Sequence, residues 1–413
     1  MTPLVYKLRA KNPNYPNMAN QMENYVFYMA YRDGVVNNAD MGHGLFGKVD
    51  NNLTGDFNSI ENVAKTARYV KRKVNSGTIM YDNIISISKE DFMRLGFDNQ
   101  QAWKDLIKSE THKMAEKIGI PPSQLEYVAA MHIKNGKPDC HLLFWDRNQG
   151  VKKAYVHPKT AASIRANFIK VIYAEELAEL HQIKNEARDT ITSEADDFYK
   201  DFMNPLQTMS NKEYKELENK IKENSDMNLG GLFDINHIPK ILLDETAHKI
   251  IVLKEALPKE GRIAYKLLPP DVKAVSDEII EDLINNIPEF KKEFDTYKQT
   301  SRKIASFYSS NEKALDKAEK KAHEDLRKRL ANRLLIKIKT MNWVHEMGAR
   351  REKQMLRNMA VNNIMDLFKI LTGNNEAQNK KYDNYKGELS KQARKEMAIK
   401  MQNAGGIDWD NDR

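Results

Sequence analysis

Residues 125–146 constrain the fold more than any other stretch. They read LEYVAAMHI, then KNGKPD, then CHLLFWD. Two apolar runs that carry aromatic residues flank an Asn-Gly pair, the strongest short-range signal for a tight β-hairpin. A hairpin needs further strands or a helix layer to be stable, so the rest of the chain must supply a sheet. Candidates are residues 3–9 (PLVYKLR) and 78–88 (TIMYDNIISIS), with a helix cap at Ser88 three residues before Asp91. Between them lie helical patterns at 18–36 and 60–75, and a third follows at 99–118, ended by Gly119 and two prolines. Residues 38–47 are rich in turn formers.

The hairpin also carries chemistry. On a strand, alternate residues share a face, so Asp139 and His141 point the same way and Cys140 points opposite. If the hairpin closes through KNGK, His132 lies beside that pair. Two imidazoles and a carboxylate suit a divalent ion such as Mn²⁺, Mg²⁺ or Zn²⁺. Three protein ligands would leave positions open for a substrate oxygen. Spacing by itself also allows two ordinary hairpin histidines. There is no HExxH helix motif of the zinc-hydrolase kind.

Beyond Pro158 the pattern becomes helical. The segment from 161 onward is expected to form a second, mostly helical domain, joined to an α+β domain over residues 1–160 with a largely antiparallel sheet. HKIIVL and GRIAYKL suggest a short hairpin near 248–267. No Gly or Pro occurs between Glu289 and Met347, which permits one or two very long helices that could fold as a hairpin arm. The tail NAGGIDWDNDR reads as a frayed end or docking peptide.

Composition narrows the function classes. The chain has 413 residues, a formal charge of +8 and one cysteine, Cys140. An internal disulfide is therefore impossible, and the lack of a leader pattern points to the cytoplasm. No apolar run approaches the ~18 residues of a membrane helix. Residues 301–400 hold 24 Lys/Arg against 12 Asp/Glu, a balance of +12. Such a region suits a polyanion such as nucleic acid, or else a solvated helix face.

A resemblance ties these readings together. The pattern H-x₆-D-x-H followed by LLFWD resembles the hairpin of HUH nucleases, in particular the MobL relaxases of Gram-positive mobile elements. Asp139 stands where that pattern usually has histidine. NYVFYMAYRDGV at 24–35, with GHGLFG at 42–47, resembles the segment of that family that carries the nucleophilic tyrosine. GRIAYKLLPPDVK at 261–273 resembles a later segment. The resemblance implies a DNA relaxase with a divalent metal, Mn²⁺ or Mg²⁺, on His132, Asp139 and His141. Its phenol would attack one strand at a transfer origin and form a 5′-phosphotyrosine for conjugation. Tyr28 is the favoured nucleophile, because Y-M-A matches the family's Tyr-Ile-small context, and Tyr25 is the runner-up. Arg32, Arg68, Lys71, Arg72 and Lys73 are candidate DNA contacts, and His43 is a candidate proton carrier or a loop residue. Implied partners are relaxosome auxiliary proteins and a type IV secretion coupling protein. The alternatives are a rolling-circle replication initiator and a non-catalytic DNA-binding scaffold with structural histidines.

Overall fold

A computed structural model describes residues 3–37, 41–49, 60–209, 211–222, 240–258 and 261–346. The chain divides into two compact units. One is Met1–Leu177 with Phe307–Ser310, and the other takes Ala178–Ser306 and resumes at Asn311.

The first unit is an α+β layer structure. Strand β1 (Leu4–Lys11) leads to helix α1 (Met18–Tyr31), then to the short strand β2 (Leu45–Lys48) and helix α2 (Val63–Asn75). Next come β3 (Met80–Ile87), α3 (Lys89–Arg94), α4 (Gln100–Ile118), β4 (Leu125–Lys134), β5 (Lys137–Asp146) and α5 (Pro158–Ile172). The sheet order is β1-β3-β5-β4-β2, with every neighbouring pair antiparallel. The hairpin closes through a two-residue turn, with Asn135 at φ 54° and Gly136 at φ 71°. Both values are left-handed, as the turn that matches strand twist requires.

Side-chain caps place the helix starts. Asn62 accepts from the backbone N–H of Lys65, Ser88 from Asp91 and Asn99 from Ala102, each satisfying an N–H that the helix leaves unpaired. Gly119, at φ 89°, ends α4. Helix α1 stops at Tyr31, earlier than the helical pattern through residue 36 suggests. Gly34 takes φ +85°, and Val35 leaves the helix to bridge His132 of β4.

Two layers of helices explain why β4 and β5 are almost continuously apolar. On one face, Met22, Val26 and Met29 of α1 and Ala67, Val70 and Val74 of α2 pack on Val128, Ala130, Leu143 and Trp145. The opposite face buries Tyr81, Leu142 and Phe144, together with Trp103, Ile107 and Met114 of α4 and Phe168 of α5. The α1–α2 layer stops short of β1. There Val5, Lys7 and Arg9 stay exposed, and Asp82, Ile84 and Ser86 of β3 are half-buried.

The second unit is helical, with α6 (Ala174–Thr208), α7 (Asn211–Lys222), α8 (Lys240–Ala256), α9 (Pro270–Asn286), α10 (Pro288–Tyr308) and α11 (Glu312–Glu346). Pro205 sits inside the last turn of α6. The expected hairpin near 248–267 is absent. HKIIVL belongs to α8, where Ile250, Ile251 and Leu253 enter the helical core, and YKL forms a single 3₁₀ turn. An apolar run of this length reads equally as strand or buried helix, and the surrounding helices settle it. Helices α10 and α11 run back along one another. Arg302 pairs with Asp316 at 2.6 Å, and the Phe294 and His323 rings lie 4.9 Å apart. The tail from 403 and the basic segment beyond 346 lie outside the described residues.

Candidate active site

Strand register assembles the site. His132 is the cross-strand partner of Asp139, and Ala130 is the partner of His141. Ala130 is small, so the His141 ring can lean over it, and the two imidazole centroids come within 4.9 Å. His132 Nδ1 lies 3.4 Å from Asp139 Oδ1, and His141 Nε2 lies 3.3 Å from the same oxygen. The three ligand atoms lie within 4.8 Å of one another. His132 is fully buried, His141 nearly so, and Asp139 is partly open to solvent.

The hydrogen bonds around this trio leave it without protons to share. His132 Nε2 is 3.0 Å from the carbonyl oxygen of Met29. A carbonyl only accepts, so Nε2 carries the proton and Nδ1 keeps a lone pair. Neither that buried Nδ1 nor Asp139 Oδ1 has a hydrogen-bond partner. His141 Nε2 faces Arg32 Nη1 at 3.2 Å. Guanidinium only donates, so this nitrogen also presents a lone pair. Two of these converging acceptors, His132 Nδ1 and Asp139 Oδ1, are buried without a donor, which is costly unless a cation sits among them. The residues therefore fit a divalent ion, with two imidazoles and a carboxylate as ligands.

Helix α1 brings two phenols to the same place. The Tyr25 and Tyr28 rings stack at 5.9 Å with an interplanar angle of 16°. The Tyr28 ring lies 5.8 Å from His141 and 6.5 Å from His132, and it is 44% exposed. Arg32, just past the helix end, sits 5.1 Å above that ring. Tyr25 is more enclosed. Its hydroxyl donates to Asp82 Oδ1 at 2.7 Å and meets His141 Nδ1 at 2.9 Å. Burial first, and Asp82 second, push its phenol far above the ordinary tyrosine value.

Asp82 escaped the reading of the sequence. Its signal is a lone carboxylate in the middle of a strand, and Lys11 pairs with its second oxygen at 3.4 Å. The cations of α2 lie elsewhere. Lys71 pairs with Glu23 at 2.7 Å, while Arg72 and Lys73 lie over the ring of Tyr69. The Tyr69 hydroxyl donates to Glu126. Glu126 is six residues from His132 on β4, about 20 Å along an extended strand. The exposed Arg68 bonds its own helix at the Ala64 carbonyl. Of the candidate DNA contacts, only Arg32 joins the triad. His43 is buried, its Nδ1 accepts from the backbone N–H of Leu45, and burial lowers its pKa.

Fold and site together define a sheet-borne His-Asp-His cluster that could hold a metal ion, flanked by phenols and an arginine, which is chemistry suited to phosphodiesters. The chain belongs to the MobL relaxases, whose family model matches residues 5–240, more than half of its length. No curated protein and no solved structure matches it. Membership makes the chain a DNA-binding endonuclease and strand transferase that takes part in mobilisation. No described helix is long and apolar enough to cross a membrane.

Proposed function

We propose that the protein nicks one DNA strand at a transfer origin by tyrosine transesterification, with Tyr28 as nucleophile and His132, Asp139 and His141 as the ligands of Mn²⁺ or Mg²⁺. The hairpin then serves as an HUH-type centre in which Asp139 replaces one histidine. The observation that carries this reading is the convergence of three proton-free ligand atoms beneath the solvent-facing ring of Tyr28.

The phenol oxygen forms a bond to phosphorus as the bond to the 3′ oxygen breaks. One proton leaves the phenol and one is gained by the 3′ oxygen. The products are a 5′-phosphotyrosine and a free 3′-OH, so the ester is kept and the strand can be rejoined. The bound ion supplies polarisation of the scissile phosphate and neutralises developing charge. Arg32 adds a guanidinium suited to a phosphate oxygen. The nuclease function falls to residues 1–160. The helices of 161–413 and the cations of α2 serve contacts with flanking DNA, auxiliary proteins or a secretion coupling protein, in the cytoplasm.

The test is mass spectrometry after reaction with origin-bearing oligonucleotides and Mn²⁺. The wild type forms a covalent adduct on Tyr28. Tyr28→Phe loses the adduct while still binding the oligonucleotide. Undiminished adduct in that variant would overturn the assignment.

A further inference from the structure

We propose that Tyr25 is a positioning residue which, held by Asp82, fixes His141 as its Nδ1–H tautomer and keeps Nε2 open as a cation ligand. The inference rests on reading the triad as a cation site.

The direction of each hydrogen bond carries the argument. Tyr25 Oη lies between Asp82 Oδ1 at 2.7 Å and His141 Nδ1 at 2.9 Å. A phenol has one proton, and a carboxylate only accepts, so that proton goes to Asp82. Oη then offers His141 nothing but lone pairs, and Nδ1 must carry the hydrogen. The other side of the ring requires the same result independently. Arg32 Nη1, a donor only, meets Nε2 at 3.2 Å, so Nε2 must be bare. Lys11 engages Asp82 Oδ2 and leaves Oδ1 to Tyr25.

The same geometry separates the two tyrosines. The Tyr25 hydroxyl sits on the Nδ1 side of His141, whereas Asp139 lies on the Nε2 side. Tyr25 is therefore behind the imidazole rather than beside the ligand atoms. Its ring, stacked on Tyr28, also supports the residue proposed to attack. Partners behind a ligating histidine set its orientation and tautomer, and their loss commonly weakens metal binding by about 10–100-fold.

The experiment uses the full chain with ¹⁵N-labelled histidine, Mn²⁺ titration and the adduct assay. Metal-free wild type should show His141 as Nδ1–H, its resonances assigned by their absence in His141→Gln. In Asp82→Ala, Tyr25 is free to donate to Nδ1, so the Nδ1–H population of the ring should fall, with Arg32 alone left to favour it. Tyr25→Phe and Asp82→Ala should each bind Mn²⁺ about 10–100-fold more weakly. Tyr25→Phe should still form adduct at saturating Mn²⁺. An Nε2–H tautomer in the wild type, or unchanged Mn²⁺ affinity in both variants, would overturn the proposal. So would loss of adduct in Tyr25→Phe with Mn²⁺ affinity intact, which would make Tyr25 the nucleophile. No Mn²⁺ binding by the wild type would overturn the cation-site reading itself, and the His141 tautomer would still show whether Asp82 and Tyr25 set it.

Discussion

Gly34 shows how one backbone angle joins two distant motifs. At φ +85° it turns the chain after α1 so that Val35 can bridge His132. A Cβ there would sit 2.6 Å from the carbonyl oxygen of Ile133. Gly34→Ala must therefore strain the backbone and push the loop off β4, at a cost of about 1–3 kcal/mol. Calorimetric melting should register that loss, and Mn²⁺ binding should weaken although residue 34 touches no ligand. Unchanged melting would show that the loop does not need the left-handed conformation. The glycine was visible in the motif NYVFYMAYRDGV, but its partner strand was not. Asp82 was less legible still. A strand carboxylate has no meaning until the residues opposite it are known, and both Tyr25 and Lys11 lie far from it in sequence.

At the scale of elements, local signals carried well where chemistry was local. The Asn-Gly turn, the alternation of Asp139, Cys140 and His141, and the cap at Ser88 all appear where the sequence places them. Ser88→Ala is expected to cost about 1 kcal/mol, because it leaves the Asp91 N–H without its partner. Urea unfolding would measure that loss, while Mn²⁺ affinity should stay unchanged, since the cap lies outside the triad. A fall in affinity would show that α3 helps to hold the site. Periodicity misled where two structures share one pattern. The apolar run in α8 reads as strand until its helical neighbours are known, and α1 ends at Tyr31 although the helical pattern persists past Arg32.

At the scale of the whole molecule, the two-sided cover of the sheet has a measurable pH signature. Tyr127 and Tyr81 are buried on the face opposite the triad, and burial pushes both phenols up to about 12. The unfolded chain ionises these groups near pH 10. Stability is thus complete below about pH 10 and falls as pH rises through about 12, because only the unfolded state releases the protons. Tyr127→Phe should flatten that alkaline loss by at most about 2–3 kcal/mol, read from denaturant unfolding between those limits. An identical slope would mean that Tyr127 ionises in place. By itself, the sequence determined the hairpin, the shared face of Asp139 and His141, and the helical character of the second half, because turns, alternation and helical period act over a few residues. Tertiary structure alone decided that Tyr25 stands behind His141 and Tyr28 faces solvent above the triad. It also decided that Arg32 reaches Nε2 and that Arg72 and Lys73 of α2 lie over Tyr69, whose hydroxyl donates to Glu126. Those outcomes depend on how a helix is rotated on a sheet, and that rotation is set by the packing of side chains from five strands and two helix layers.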